Sequence, residues 1–287
     1  MRYSTVTMIV TLLQLAIAGV AGAQSTTDLV HASLLANVST INPGEPFTLG
    51  VLLNLKPGWH VYWTNPGDSG LPTRVQWFLP PGFTASELRF PVPERIDLPG
   101  GIVIFGYTDQ VMLTATITPP VTRPVTPSAE SAAAPTAFDI AAKVSWLCCS
   151  EDCVPGKTTL NIELTAGDKS VPANTPLFEQ WQTRLPIPAP TPATPLVLSD
   201  PSPHTQVMTT RRITDPKAII PGAVDGLLLT VGTPRLTATG TTIPLNAQIL
   251  KGQTVTAKSV PILVTWADPD GNHRLGEELT VPIVSGR

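Results

Sequence analysis

Charged side chains are scarce in this sequence. Asp, Glu, Lys and Arg make up 14% of its 287 residues, and the formal net charge at pH 7 is −3. Proteins that bind nucleic acids or anionic membrane surfaces present clusters of Lys and Arg. The composition offers no such excess of basic residues and therefore argues against both functions.

Long apolar segments are also scarce, and the best candidate lies at the N-terminus. Arg2 precedes the mostly apolar segment 8–20, and Ala21-Gly22-Ala23 has the small residues of a signal-peptidase site. A membrane anchor is the alternative, but the segment is shorter than the ~20 residues that a spanning helix needs. We predict a cleaved signal peptide over residues 1–23, export, and no membrane span in the mature protein.

Cysteine occurs only three times, as Cys148, Cys149 and Cys153. An oxidising compartment pairs thiols, so an odd number leaves one thiol free or paired outside the chain. A structural disulfide framework spreads its cysteines along the chain, whereas these three lie within six residues. The cluster is therefore the candidate site of chemistry, and a redox-active dithiol/disulfide is the favoured interpretation.

Proline is abundant, with 32 residues beside 21 glycines, which disfavours long helices and favours short strands joined by turns. We predict an all-β protein of two immunoglobulin-like β-sandwich domains joined by a short helix and a Pro-rich linker. The clearest predicted strands cover 47–53, 59–63, 75–78, 111–117, 142–147, 158–164, 227–231, 242–249, 260–266 and 279–284.

The predicted domains are a first sandwich over 24–170, a helix and linker over 171–195, and a second sandwich over 196–287. Thr175 is the predicted N-cap of the helix, with Pro176 in its first turn. Residues 119–135 are predicted to be a mobile Pro/Ala/Ser-rich loop, and 268–272 a plain turn rather than a calcium loop. The second sandwich is interpreted as a spacer or docking domain.

Cys149 and Cys153 can be bonded only if the chain bends between them. Four steps of extended strand cover about 13 Å, whereas bonded cysteines have Cα atoms about 4.4–6.8 Å apart. Ser150, Glu151 and Asp152 are all compatible with a tight turn. A five-residue ring contributes only about 2 kcal/mol in the loop-entropy model, which favours a redox role but leaves a structural bridge open.

Two further features of the cluster affect its reactivity. In a strand, Cys148 points to the face opposite Cys149. We therefore predict that Cys148 is a small buried hydrophobic residue behind Trp146; the alternative is that it is a third redox thiol. Glu151 and Asp152 disfavour a nearby thiolate. We therefore expect the pair to react mainly within a docked complex, in which the partner supplies the thiolate.

Five motifs in order resemble the N-terminal periplasmic domain of the thiol:disulfide interchange protein DsbD, in particular its ScsB-like relatives, which are linked to suppression of copper sensitivity. The resemblance covers about residues 29–164 specifically and extends more loosely beyond them. The motifs are KPGWHVYWTNPGDSG (56–70), LPPGF (79–83), FPVPER (90–95), FGY (105–107) and WLCCSEDCVPG (146–156).

The resemblance implies an immunoglobulin-like periplasmic domain that exchanges electrons with thioredoxin-like partners, in processes such as copper tolerance and cytochrome c biogenesis. Cys149 and Cys153 match the family's reactive pair, with no cofactor or metal. His60 and Tyr62 match the strand beside the pair, and segment 94–101 matches a cap loop that shields the sulfurs. The residues predicted to support or shield the pair are His60, Tyr62, Glu94, Ile96, Phe105, Tyr107, Trp146 and Cys148.

Two departures from the family pattern keep alternatives open. Cys148 stands where an apolar residue is expected. The sequence ends at Arg287 without a membrane or thioredoxin domain, so we expect the electron donor to be a separate protein, such as a membrane electron transporter. The alternatives are a copper(I)-binding module that uses the cysteines and His60, and an inert adhesion-like double sandwich with a structural disulfide.

Overall fold

The computed structural model describes residues 26–121, 137–189, 195–198, 204–209, 216–238, 240–267 and 274–284. The predicted signal peptide, the 268–272 turn, most of the 119–135 loop and part of the Pro-rich linker lie outside these ranges. Within them, no helix combines the length and the apolar character needed to cross a bilayer.

Twelve strands make up the first half of the chain, with two short helices and one 3-10 turn. A four-stranded sheet has the order β1-β3-β9-β6, and a larger sheet has the order β12-β2-β11-β10-β4-β8-β7, with β5 also paired to β10. The strands are β1 Val30–Ala36, β2 Val38–Ile41, β3 Phe47–Leu55, β4 His60–Gly67, β5 Arg74–Phe78, β6 Thr84–Ala85, β7 Glu94–Leu98, β8 Ile102–Thr108, β9 Gln110–Thr118, β10 Ala137–Cys149, β11 Cys153–Ala166 and β12 Val171–Pro172; the helices are α1 Thr26–Leu29 and α2 Thr175–Gln182, and the 3-10 turn is Pro99–Gly101.

These two sheets enclose one hydrophobic core. Strand β3 contributes Leu49, Val51 and Leu53, and β10 faces them with Ile140 and Val144, all essentially inaccessible to solvent. Apolar residues at every second position account for this, because alternate side chains of a strand point to the same face of the sheet. The first sandwich therefore has one buried face on each sheet, and the other face of the larger sheet is left for the site.

The second half of the chain forms two more sheets around a separate core. One has the order β13-β21-β20-β16 with β14 beside β21, and the other has the order β15-β19-β17 with β18 beside β19. This confirms the predicted all-β class with immunoglobulin-like sandwiches. The strands are β13 Ile187–Pro188, β14 Leu196–Val197, β15 His204–Thr209, β16 Ala218–Pro221, β17 Leu227–Val231, β18 Arg235–Leu236, β19 Thr241–Ile249, β20 Ser259–Ala267 and β21 Arg274–Val284.

The connection between the two sandwiches differs from the prediction at the start of its helix. The N-cap of α2 is Asn174, in the left-handed conformation at φ 54°, and not Thr175. Its side-chain amide donates to the carbonyl of Ala36 at 2.9 Å, which ties the helix start to β1. The described part of the Pro-rich linker also makes a contact that was not predicted, because β13 (Ile187–Pro188) pairs in parallel with β21.

Candidate redox site

The cysteine pair sits at the tip of the longest hairpin in the described chain. Strands β10 and β11 pair without interruption until Cys149 lies directly opposite Cys153. The three residues between them form the predicted turn, in which the Ser150 amide donates to the Asp152 carbonyl at 3.0 Å. The two cysteines form a disulfide, with a Cα–Cα separation of 4.2 Å.

Strand alternation separates the two adjacent cysteines. Phe138, Ile140, Ala142, Val144, Trp146 and Cys148 all belong to the main core, whereas Cys149 points to the outer face of the sheet. Cys148 is a buried free thiol with 1% exposure, and burial raises its pKa to about 11. A thiol in this state is neutral and unreactive at neutral pH.

The two bonded cysteines differ in exposure. Cys149 is 2% exposed and packs against Tyr62 and Ile104, whereas Cys153 is exposed. The difference follows from position, since Cys149 lies between β4 and β11 whereas Cys153 is the first residue of β11 after the turn. Cys153 is therefore the cysteine that an approaching protein reaches.

His60 and Tyr62 lie beside the buried sulfur. His60 pairs directly with Cys149 across β4 and β10, and its Nε2 is 3.2 Å from the Tyr62 hydroxyl, with the rings edge to face. Both residues are at most 5% exposed. Burial lowers the pKa of His60 and raises that of Tyr62, so both side chains are neutral at pH 7.

The predicted cap segment 94–101 is regular structure rather than an irregular loop. Its first five residues form β7, which pairs with β8, and the 3-10 turn joins the two strands. Ile96 and Leu98 pack on the cluster of Tyr62, Ile104 and Cys149, so the hairpin covers one side of the buried cysteine. Glu94 accepts a hydrogen bond from Thr108 at 3.3 Å, and Thr108 is the partner of His60 on β8.

Three predicted supporting residues do not reach the disulfide. Trp146 and Tyr107 are buried in the main core, and Phe105 packs against it from a half-buried position. The Tyr107 hydroxyl donates to the Pro91 carbonyl at 2.7 Å. These aromatic residues support the sheet from its inner face, on the opposite side from Cys149.

Sequence reasoning missed the segment that covers Tyr62. Gly70 has φ +106°, and a Cβ at this position would overlap the Tyr62 ring, so only glycine lets the backbone lie against the ring. Asp68 fixes the segment by accepting a hydrogen bond from the Val103 amide at 2.9 Å. The Gly67-Asp68-Ser69-Gly70 turn signal was visible in the sequence, but its contact with Tyr62 depends on the strand pairing.

No group of three or more His, Cys, Asp or Glu side chains is arranged to hold a metal ion within the described ranges. In this oxidised state, the sulfurs of Cys149 and Cys153 are bonded to each other and are not thiolate ligands.

Comparison with known proteins matches this region to one family. The family described as "Thiol:disulfide interchange protein DsbD, N-terminal" matches residues 26–164. Residues 26–164 form a DsbD N-terminal-like domain. Together with the Cys149–Cys153 disulfide, the match supports a thiol–disulfide exchange module.

One solved structure extends the likeness in fold beyond the DsbD N-terminal-like domain. The N-terminal periplasmic domain of ScsB from Proteus mirabilis matches with a TM-score of 0.57 and 17% identity, over 91% of this chain and 96% of that chain. The reduced DsbD N-terminal domain of Neisseria meningitidis matches over 52% of this chain and 95% of that chain, with 10% identity and a TM-score of 0.30. Comparison with curated protein sequences gives no significant match.

Proposed function

We propose that this chain is an exported, periplasmic module that relays reducing equivalents through Cys149 and Cys153, to or from thioredoxin-like partners. The observation that carries the proposal is a disulfide at a hairpin tip, in a DsbD N-terminal-like domain, with one exposed and one buried cysteine. The proposed organisation is a redox domain over 24–170, a connection over 171–195, and a second sandwich over 196–287. A membrane electron transporter is the proposed upstream donor.

The exposed cysteine is the proposed point of attack. A partner thiolate attacks Sγ of Cys153, the S–S bond breaks, and Cys149 leaves as a thiolate. A second thiol of the partner then attacks the partner's own sulfur in the mixed disulfide and releases Cys153. Two electrons and two protons move from the partner dithiol to this pair, and the reverse sequence returns them to an acceptor disulfide.

His60 is the proposed stabiliser of the leaving group. Thiolate formation at Cys149 is disfavoured by burial, so a hydrogen-bond donor beside it lowers the cost of the step. We assign the Tyr62 hydroxyl as the donor to His60 Nε2, which places the hydrogen of the neutral ring on Nδ1. We propose that this hydrogen is donated to the Cys149 thiolate once it has formed, since the two residues are directly paired across β4 and β10.

Single cysteine variants test the assignment of the two roles. The probe is 5,5′-dithiobis(2-nitrobenzoate), an aromatic disulfide that releases a coloured thiolate when a protein thiol attacks it. In Cys149→Ser, the thiol freed by the substitution is the exposed Cys153, and we expect it to react at least about tenfold faster than Cys149 in Cys153→Ser. The buried Cys148 thiol is common to both variants. Cys148→Ser leaves the exchanging pair intact and is the matched control.

The same variants decide whether the pair exchanges with proteins. With oxidised thioredoxin, whose disulfide a free thiol can attack, we expect Cys149→Ser to trap a mixed disulfide through Cys153 and Cys153→Ser to trap none. With reduced thioredoxin, we expect Cys148→Ser to be reduced like the wild type. Complete turnover by Cys149→Ser would refute the function. Equal reactivity of Cys149→Ser and Cys153→Ser would refute the order of attack alone.

A further inference from the structure

Positively charged side chains lie close to the disulfide on the outer face of the larger sheet. Directly paired residues of neighbouring strands project from the same face of a sheet. The row after the disulfide holds Leu147 and Pro155, and the next two rows are Arg74–Ser145–Lys157 and Gln76–Lys143–Thr159 across β5, β10 and β11. We call Arg74, Lys143 and Lys157 the basic patch.

The basic patch has no ion-pair partner within the described chain. All three of its side chains are exposed, and none forms an ion pair with a described residue. Its two rows contain no carboxylate. Farther from the hairpin tip, the first acidic residues on β10 and β11 are the paired Asp139 and Glu163. Asp139 is four residues, or about 13 Å, from Lys143 along β10. In a chain of net charge −3, three neighbouring unpaired cations form a local positive field.

A cavity adjoins the basic patch where β5 takes the place of β4 beside β10. Its volume is about 620 Å³, and Arg74, Lys143, Gln76 and Ser145 line it together with apolar side chains that include Leu88 and Phe90. No acidic residue lines it. Thr73 also lines it, is 3% exposed, and has a buried hydroxyl without a partner among the described residues. The lining therefore offers hydrogen bonds and positive charge to an anionic group.

The distance between cavity and disulfide fits a single docking event. Four residues of β10 separate Cys149 from Ser145, which corresponds to about 13 Å, and six separate it from Lys143, or about 20 Å. A standard protein interface covers about 800 Å² per partner, which is a disc of about 16 Å radius. A protein centred on Cys153 therefore reaches the near edge of the cavity at Ser145, and an interface displaced toward β5 also reaches Lys143.

We propose that the basic patch and its cavity bind carboxylate side chains of the protein that docks over the disulfide. The proposal rests on the proposed exchange function and names the surface chemistry of its partner. The matching partner carries Glu or Asp about 13–20 Å from its reactive cysteine. Charge complementarity favours this occupant over an apolar one, because the cations have no other partner and the carboxylates would be held beside Thr73 and Ser145.

The test uses two dithiol peptides that differ only in charge. Each contains Cys-Gly-Pro-Cys, a five-residue Gly/Ser spacer that spans about 12–13 Å, and either Glu-Glu or Gln-Gln. The measurement is the second-order rate constant for reduction of the Cys149–Cys153 disulfide, at low salt and at about 0.5 M salt. We expect the Glu-Glu peptide to react about tenfold faster than the Gln-Gln peptide at low salt, and the difference to vanish at high salt.

Charge-matched variants locate the effect. In the Arg74→Gln/Lys143→Gln/Lys157→Gln variant, we expect the two peptides to react at the same rate. In the control variant Lys169→Gln/Lys251→Gln/Lys258→Gln, which has the same net charge and also alters exposed lysines, we expect the Glu-Glu preference to remain. The Gln-Gln rate reports whether each variant has kept a folded, accessible disulfide.

Each outcome separates the docking proposal from the exchange function. Equal rates of the two peptides on the wild type would refute docking but leave exchange standing. Failure of both peptides to reduce the wild type would refute exchange, and docking with it. Binding of glutarate in the cavity, without any Glu-Glu preference, would replace the partner with a small free carboxylate.

Discussion

The two faces of strand β10 differ in what their side chains do, although they share one backbone. On the inner face, Trp146 and Cys148 are buried in the main core of the first sandwich. On the outer face, Leu147 and Cys149 pack in a small cluster with Tyr62 and Ile104. The adjacent residues Cys148 and Cys149 thus differ in role because β-strand side chains alternate between faces. The inner face contributes to the main core, and the outer face carries the buried cysteine of the disulfide.

The largest expected effect compares the neighbours Trp146 and Leu147. Trp146→Ala removes a 6% exposed ring that packs over Gly156, and we expect it to lower the free energy of unfolding by about 3–5 kcal/mol. Leu147→Ala, at a half-buried outer position, should lower it by about 1 kcal/mol and speed disulfide reduction by uncovering Cys149. Urea unfolding of the oxidised proteins and reduction by dithiothreitol measure the two effects. Equal losses of stability would contradict the division between the faces.

The elements of this fold were more predictable than its pairings. The sequence pattern located the strand cores of β3, β9, β10 and β17, because apolar residues and turn signals are local. The bend that joins Cys149 to Cys153 was also local, since three turn-compatible residues separate them. By contrast, β10 pairs with β4 at its tip and with β5 farther from the tip, and both partners are distant in sequence. The basic patch depends on the β5 pairing and was therefore not predictable. The same holds for the strand character of segment 94–98.

An intermediate effect compares Cys148 in the native protein with the same residue in the unfolded protein. With a pKa of about 11, Cys148 has well under 1% thiolate at pH 8.5, against about half for an ordinary thiol, a difference of about a hundredfold. We expect iodoacetamide to alkylate native Cys148 at least this much more slowly than the same residue in urea. The native rate should rise with pH until about pH 11, because only the thiolate reacts. Mass spectrometry of the oxidised protein gives the alkylation rate, and Cys148→Ser controls for labelling at other residues. Fast labelling of the native protein would mean that Cys148 is accessible.

The smallest expected effect compares His60 with its neighbour Tyr62 on the outer face. His60→Phe removes the hydrogen-bond donor assigned to the Cys149 thiolate, whereas His60→Gln keeps one. We expect Phe to lower the reduction potential of the pair by about 20–30 mV, equivalent to about 1 kcal/mol, and Gln to restore most of it. Tyr62→Phe removes only the hydroxyl that orients the ring and should have a smaller effect.

The pH dependence of that potential distinguishes a neutral His60 from a charged one. Burial lowers the pKa of His60 below its ordinary value, so the neutral ring predominates between pH 7 and 8. The difference in potential between His60→Phe and the wild type should therefore be constant over this range. If the ring instead became protonated when Cys149 is reduced, the difference would grow as the pH falls, because an imidazolium stabilises the thiolate more strongly than a neutral donor does. Equilibration with glutathione across this range measures the difference directly, and a slope would replace the hydrogen-bond role with an ion pair.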